Sequence, residues 1–308
     1  MEPCLVVTGA AGKKSGGAFV RRLCLHADEV RRAFPGGIRA IVRPTSDLET
    51  LKRRLPEAEL FTGELTDPAF LDRAMDGADT VLHIAGIHWS VPVTEAAARA
   101  SVRRLILVHT TGIYSRYKEA GEEYRKIDAA VSRICQEKGI VLTILRPTMI
   151  YGNLTDRNIA VFLRMVDRLP LMPVVRGARY LLQPVYYEDL GEAYYRVLTH
   201  EAVTAGKCYD LSGGAPILLR DLLSEMGRQL GRKRVRFLSV PHWLAYGGAV
   251  GLFGLSLGRL DLREKVQRLC EDRAYPHDEA RRDFGYDPLP FAEGVRNEIL
   301  EYLNKKQS

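Results

Sequence analysis

The stretch Leu5-Val6-Val7-Thr8-Gly9-Ala10-Ala11-Gly12-Lys13-Lys14-Ser15-Gly16-Gly17-Ala18-Phe19-Val20 constrains the fold more than any other part of the chain. An apolar run ends in a glycine-rich turn, and an amphipathic segment follows at once. That order is the pattern of a first parallel strand feeding a helix across an anion-binding loop. Gly9 suits the tight turn after the strand, and Gly12 leaves the backbone open to a pyrophosphate. Gly16 or Gly17 lets the helix lie close to the sheet. The spacing is irregular: Gly9 and Gly12 make a G-x-x-G step, Ser15 stands where the next regular glycine falls, and Gly16 follows it. Val7 occupies the first glycine position of a Walker A loop, which excludes that motif. The expected ligand is a dinucleotide; the alternative is a glycine-rich turn that binds nothing.

Short apolar runs alternate with helical patterns through the first half. Strands are expected at 4–8, 38–42, 59–62, 80–84, 104–109 and 141–145, and helices at 16–26, 47–54, 68–75, 94–100 and 124–137. Alternation of this kind predicts an α/β fold: a Rossmann-like doubly wound parallel sheet covered on both faces. Right-handed crossovers place the loops after the strands on one edge. In the second half, 158–167, 188–199 and 218–230 read as helices and 208–211 as a strand. The expected organisation is a dinucleotide-binding domain over 1–155, with a returning segment near 184–213. A smaller C-terminal substrate-binding region takes 156–183 and 214–308.

The net charge of +7 is scattered, and no run reaches five like charges. That argues against a nucleic-acid tail and suits an anionic small molecule. The five cysteines are widely spaced and odd in number, so they read as free thiols in a reducing cytoplasm, with no metal site. No signal peptide is expected, because the first apolar run ends in glycines. The uncharged stretch 237–258 is 22 residues long, but Pro241 and His242 interrupt it. A buried helix or an apolar substrate wall is expected there rather than a bilayer span, with contact at a membrane surface as the alternative. A homodimer stays open.

The chain resembles the extended and atypical short-chain dehydrogenase/reductase group, which includes the NAD-dependent epimerase/dehydratase family. The carriers are the Thr8–Gly17 loop, Gly63-Glu64-Leu65-Thr66-Asp67, Val81-Leu82-His83-Ile84-Ala85-Gly86 and Leu145-Arg146-Pro147-Thr148-Met149-Ile150-Tyr151-Gly152. Pro184-Val185-Tyr186-Tyr187-Glu188-Asp189-Leu190 and Phe284-Gly285-Tyr286-Asp287-Pro288 follow in the family's order. The resemblance implies that Gly9, Gly12 and Gly16 line the pyrophosphate and that Glu64 and Leu65 flank adenine. It places Ala85 and Gly86 beside the ribose, and Pro147 and Thr148 near nicotinamide. Members specific for NAD usually carry an acidic residue at the end of the second strand. Here Arg43 stands at that end, with Lys13 or Lys14 in the first loop as a further cation, so NADP is expected and NAD is the alternative.

Members that act on alcohols or ketones pair a Tyr-x-x-x-Lys helix with a Ser or Thr after the preceding strand. Thr110 and Thr111 supply the hydroxyl. Counting back from Arg146 gives two registers: Tyr124 with Asp128, or Ala120 with Tyr124. Neither is an intact pair, and Lys126 is too near Tyr124 to share its helical face. The literal match Tyr114-Ser115-Arg116-Tyr117-Lys118 comes too soon after the strand. Tyr124 is the best single proton donor. The short span 86–102 points to the atypical branch. His83 reads as a core histidine, His88 and Trp89 as substrate neighbours, and Tyr186, Tyr187, Tyr194 and Tyr195 as packing aromatics. The expected function is an NADP(H)-dependent oxidoreductase or epimerase acting on a small carbonyl, alcohol or nucleotide-sugar-like substrate. The alternative is a non-enzymatic NAD(P)-binding redox sensor or assembly factor.

Overall fold

The computed structural model describes residues 2–307 apart from Lys118, Arg157, Leu257, Gly258, Leu260 and Leu269. In chain order the first half runs β1 (Leu5–Thr8), α1 (Ser15–Leu25), α2 (Ala27–Ala33), β2 (Ile38–Val42), α3 (Leu48–Arg54) and β3 (Glu59–Thr62). It continues through α4 (Pro68–Met75), β4 (Thr80–His83), α5 (Ser90–Arg99), β5 (Arg104–Val108), α6 (Gly121–Lys138) and β6 (Val141–Pro147). The expected first-half strands all form, with ends moved by two residues at most. The fifth helix begins at Ser90 rather than at 94, because Pro92 falls in its first turn, where a missing N–H costs little. The short α2 carries no apolar period and was not foreseen.

The second half contributes β7 (Ile150–Tyr151), α7 (Ile159–Arg168), β8 (Met172–Val175), β9 (Leu181–Leu182), β10 (Val185–Tyr186), α8 (Tyr187–Thr199), α9 (Glu201–Thr204) and β11 (Cys208–Leu211). Then come β12 (Ile217–Leu218), α10 (Leu219–Gln229), β13 (Phe237–Val240), α11 (His242–Leu255), α12 (Arg263–Arg268), α13 (Asp278–Phe284) and α14 (Phe291–Gln307).

Seven strands form one parallel sheet in the order β3-β2-β1-β4-β5-β6-β11. The chain winds outward from β1 to β3, then restarts at β4 on the other side of β1. Between β1 and β4 lies the switch point where ligands collect beyond the strand ends. Residues of β1, β4 and β5 are buried throughout, as a sheet covered on both faces requires. Phe19 and Leu23 of α1 pack with Leu190 and Tyr194 of α8 on one face. Leu71 and Met75 of α4 pack with Ala96 and Val131 on the other. A separate core of Leu163, Val174, Leu222, Met226, Val295 and Ile299 holds the C-terminal region.

The segment around 184–213 returns to the sheet: β11 pairs with β6, and a Cβ on Gly191 would come within 2.5 Å of Ala18 where α8 crosses α1. Ala280, Phe284 and Tyr286 also join the sheet's core, where α13 packs on α8, α9 and β11. The reading of 237–258 needs a correction. Pro241 separates β13 from α11, and among the described residues of α11 only Ala249 is buried. It is neither a buried helix nor a wall of the cavities described below. Apolar composition states what a segment prefers; it does not ensure that the fold supplies a cover. No helix is long and apolar enough to cross a membrane among the described residues.

Candidate functional site

The loop after β1 sits at the switch point. Gly9 has φ +78°, and a Cβ there would come within 2.8 Å of the Ala85 nitrogen. Gly12 N donates to Gly9 O at 3.0 Å and Gly17 N to Gly12 O at 2.7 Å, which folds the loop on itself. A Cβ on Gly16 would lie 2.1 Å from Gly9 O, so only glycine lets α1 start this close. No side chain caps α1 at Lys14, and its first turn carries no acid. The helix start is therefore left open for an anion.

A cleft of about 810 Å³ opens over this loop. Gly9, Gly12, Lys13, Gly16, Arg43, Glu64, Leu65 and Ala85 all line it. Gly86, with φ +120°, lies just behind that wall. Buried His83 shapes the wall: its Nδ1 is 2.6 Å from Thr8 Oγ1 and its Nε2 is 2.9 Å from Gly86 O. Burial first, with nearby His109 adding to it, brings the His83 pKa down to about 4. Neutral His83 thus donates to Gly86 O and accepts from the Thr8 hydroxyl, the structural role its strand position suggests. Arg43 is exposed at the cleft edge. Asp47, the nearest acid after β2, caps α3 by accepting from Thr50 N at 3.0 Å. Trp89 lines the same cleft, whereas His88 turns to Glu123 at 3.0 Å.

A second cavity of about 530 Å³ adjoins the first, and Lys14 and Thr155 line both. Thr110, Thr111 and Thr148 line it, while Pro147 supplies backbone: Thr111 Oγ1 donates to Pro147 O at 3.3 Å. Thr110 Oγ1 accepts from Gly112 N at 3.0 Å, so its own proton is left for another acceptor. Thr148 Oγ1 donates to Gln183 O at 2.6 Å.

The cavity's far wall comes from residues that the sequence reading missed: Gln183, Arg268, Arg273 and Tyr275. Glu271 pins this segment across the loop after β5, accepting from Ser115 Oγ at 2.6 Å and Arg116 N at 2.8 Å. Gln183 Oε1 accepts from Tyr275 N at 3.1 Å. The Nε atoms of Arg268 and Arg273 are buried without a hydrogen-bond partner among the described residues. Burial first, then the like charge of Arg268, brings the Arg273 pKa down to about 10. Nothing periodic marks these residues; only the placement of Gln183 beside the Pro184-Val185-Tyr186 segment hinted at them.

Tyr124 lies buried on α6, its ring edge-on to His88 with centroids 5.5 Å apart, and it is not among the residues lining either cavity. Burial first, then Glu123, raises its phenol. One turn on stands Asp128, which the register that pairs it with Tyr124 sets in the place of the family's lysine. Its carboxylate meets His109 Nδ1 at 2.5 Å and Arg146 Nη2 at 2.5 Å. Burial opposes its ionisation, but these two bonds prevail and hold Asp128 below the usual carboxylate range. His109 Nε2 reaches Ser90 Oγ at 2.9 Å, and Tyr114 OH donates to Asp210 at 3.1 Å beside Arg146. Burial and then Asp210 push the Tyr114 phenol up to about 12. In the literal Tyr-x-x-x-Lys match, Tyr114 ends a single turn of 3₁₀ helix, and Lys118 lies outside the described residues. Among the described residues no three His, Cys, Asp or Glu side chains cluster as metal ligands.

Residues 27–164 match a family model described as NAD(P)H-binding; the glycine loop precedes the matched segment. A 2-alkyl-3-oxoalkanoate reductase of Stenotrophomonas maltophilia is 24% identical, covering 76% of this chain and 83% of that protein. A 3 beta-hydroxysteroid dehydrogenase/Delta 5-->4-isomerase of Mycobacterium tuberculosis is 22% identical, covering 80% and 79%. In fold, the chain is similar to the Citrobacter sp. triphenylmethane reductase complexed with NADP(H). That match has a TM-score of 0.70 and 19% identity and covers 96% of this chain and 99% of that one. The open loop, the uncapped helix start and the cleft above them fit such a dinucleotide.

Proposed function

We propose that the chain, which carries an NAD(P)H-binding segment over residues 27–164, is an NADP(H)-dependent reductase of the extended short-chain dehydrogenase/reductase group, acting on a small carbonyl compound bearing an anionic group. The observation that carries this reading is the second cavity, which continues the dinucleotide cleft at Lys14 and combines hydroxyls with cations. When bound, the dinucleotide supplies the hydride. The substrate carbonyl lies against Thr110, whose free hydroxyl proton can orient the oxygen. Arg268 and Arg273 hold the anionic group, which offsets their mutual repulsion and completes their hydrogen bonding. Arg43 and Lys13 favour the extra phosphate of NADP over NAD.

As the carbonyl carbon receives hydride, its oxygen takes a proton from a phenol, and water restores that phenol's proton. Tyr275 lines the cavity and is the first candidate. Burial, then Glu271, raises its pKa and keeps it protonated at neutral pH. Tyr124 is the competing donor, on the ground of its family register. The clamped Asp128 offers neither phenol the cationic partner that lysine gives elsewhere. A turnover slower than in members with an intact pair is expected.

The test is NADPH consumption on a panel of 2-oxo and 3-oxo acids, neutral ketones, aldehydes and nucleotide sugars. Oxo acids are expected to react best. Tyr275→Phe is expected to cut turnover by about a hundredfold to ten-thousandfold with NADPH affinity unchanged. If Tyr124→Phe does so instead, the donor assignment moves to Tyr124. No turnover on the whole panel, despite tight NADPH binding, would count for a sensor and against a reductase.

A further inference from the structure

We propose that α11 docks on an anionic lipid bilayer, lying in the interface beside the mouth of the second cavity. The segment is anomalous for a surface helix. From His242 to Leu255 it carries no charged residue, so no polar face turns to water. A helix apolar all round belongs in a core or in lipid. Yet Trp243 is 73% exposed and Leu255 87%. Fourteen large apolar residues are exposed among those described, and six of them fall in one short segment: Leu238, Trp243, Leu244, Val250, Leu252 and Leu255. Scattered exposed leucines need no explanation, but a concentration like this marks a surface that something covers.

Charge decides between the occupants. Residues 231–260 contain no Asp or Glu and five cations: Arg232, Lys233, Arg234, Arg236 and Arg259. Lys233, Arg234 and Arg236 are exposed just before β13. A second copy docked by two-fold symmetry with its cationic segment beside this one would set Lys233, Arg234 and Arg236 against like charges. Anionic headgroups complement them instead, at about 1 kcal/mol per cation near the surface. Trp243 stands at the start of the helix, beside the cationic segment, as interfacial aromatics do. At 14 residues the helix is about 21 Å long, short of a roughly 30 Å hydrocarbon core, so it lies in the interface and does not span. It packs on α12, whose last residue, Arg268, lines the second cavity. Docking would therefore bring that cavity to the lipid surface.

The experiment is flotation of the full chain with phosphatidylcholine vesicles, alone or containing about one-third phosphatidylglycerol. Wild type is expected to float with the anionic vesicles and to be released as salt is raised. Leu252→Glu with Leu255→Glu should weaken this association at least tenfold while NADPH affinity and circular dichroism stay unchanged. Lys233→Glu with Arg234→Glu should weaken it on anionic vesicles. Failure of wild type to bind either vesicle would overturn the proposal. So would a solution dimer that the Leu252/Leu255 pair of substitutions dissociates, because a second copy would then be the cover.

Discussion

At the scale of single residues, the glycine loop is held by contacts that leave no room for a side chain. Gly16→Ala would drive a methyl to 2.1 Å from Gly9 O. The backbone must move, and a cost of about 1–3 kcal/mol in stability is expected from such overpacking. Gly12 is different: a Cβ there would meet only Gly9 O, at 3.1 Å. Gly12→Val should therefore fold, while dinucleotide affinity falls at least tenfold, or about 1.4 kcal/mol. Titration beside urea denaturation separates the two effects. Arg43 is a test of cofactor choice. If it pairs with the extra phosphate, Arg43→Ala loses about 1.5–3 kcal/mol of NADPH binding and leaves NADH binding unchanged. The glycines and Arg43 could be picked out from the sequence because their local requirement, a turn or a strand end, lies within a few residues. Tyr275 could not, because what makes it interesting is a cavity formed with a loop far away in the chain.

At the scale of elements, buried polar groups tie the layers together. Arg104 begins β5, is 1% exposed, and its guanidinium donates to Leu198 O at 2.8 Å, Val197 O at 2.7 Å and Thr204 Oγ1 at 2.9 Å. It thus closes the C-terminal end of α8, where a cation is favoured. Arg104→Met should cost about 3 kcal/mol in denaturant melts, since two helix carbonyls lose their donors. Glu298 of α14 is a second tie, accepting from Gly152 N at 2.9 Å. Burial first, then neighbouring Asp156, pushes its carboxyl up to about 9. An unfolded glutamate titrates near 4.3. The folded chain therefore keeps a proton that the unfolded chain has lost between these values. The contribution is complete below about pH 4.3 and is lost as pH rises toward 9, by up to about 1.4 kcal/mol per pH unit. Melting temperatures measured from pH 5 to 9 should fall less steeply in Glu298→Gln than in wild type.

At the scale of the molecule, two cavities meet at Lys14 and Thr155, the first over the sheet's switch point and the second against the C-terminal segment. A ligand in the first stabilises the folded chain by linkage. NADPH at a hundred times its dissociation constant should add about 2.7 kcal/mol, and NADH at the same concentration should add less. Thermal melts with each nucleotide check this; equal shifts would count against the role given to Arg43. The domain division expected from the sequence was drawn along the chain, but α13 packs against the sheet's own core from far downstream.

By itself, the sequence determined the alternation of strands and helices, the parallel sheet they build and the glycine loop after its first strand. These are local patterns, set by periodicity and by backbone needs that neighbouring residues reveal. Only the tertiary structure decided that Asp128 is clamped between His109 and Arg146. The same holds for Arg268, Arg273 and Tyr275 facing Thr110 across one cavity, and for the apolar run of α11 left outside the core. Each of these depends on which distant segments meet. Hydrophobicity and charge along a chain state what each residue prefers, but burial and partnership arise only when the chain closes on itself.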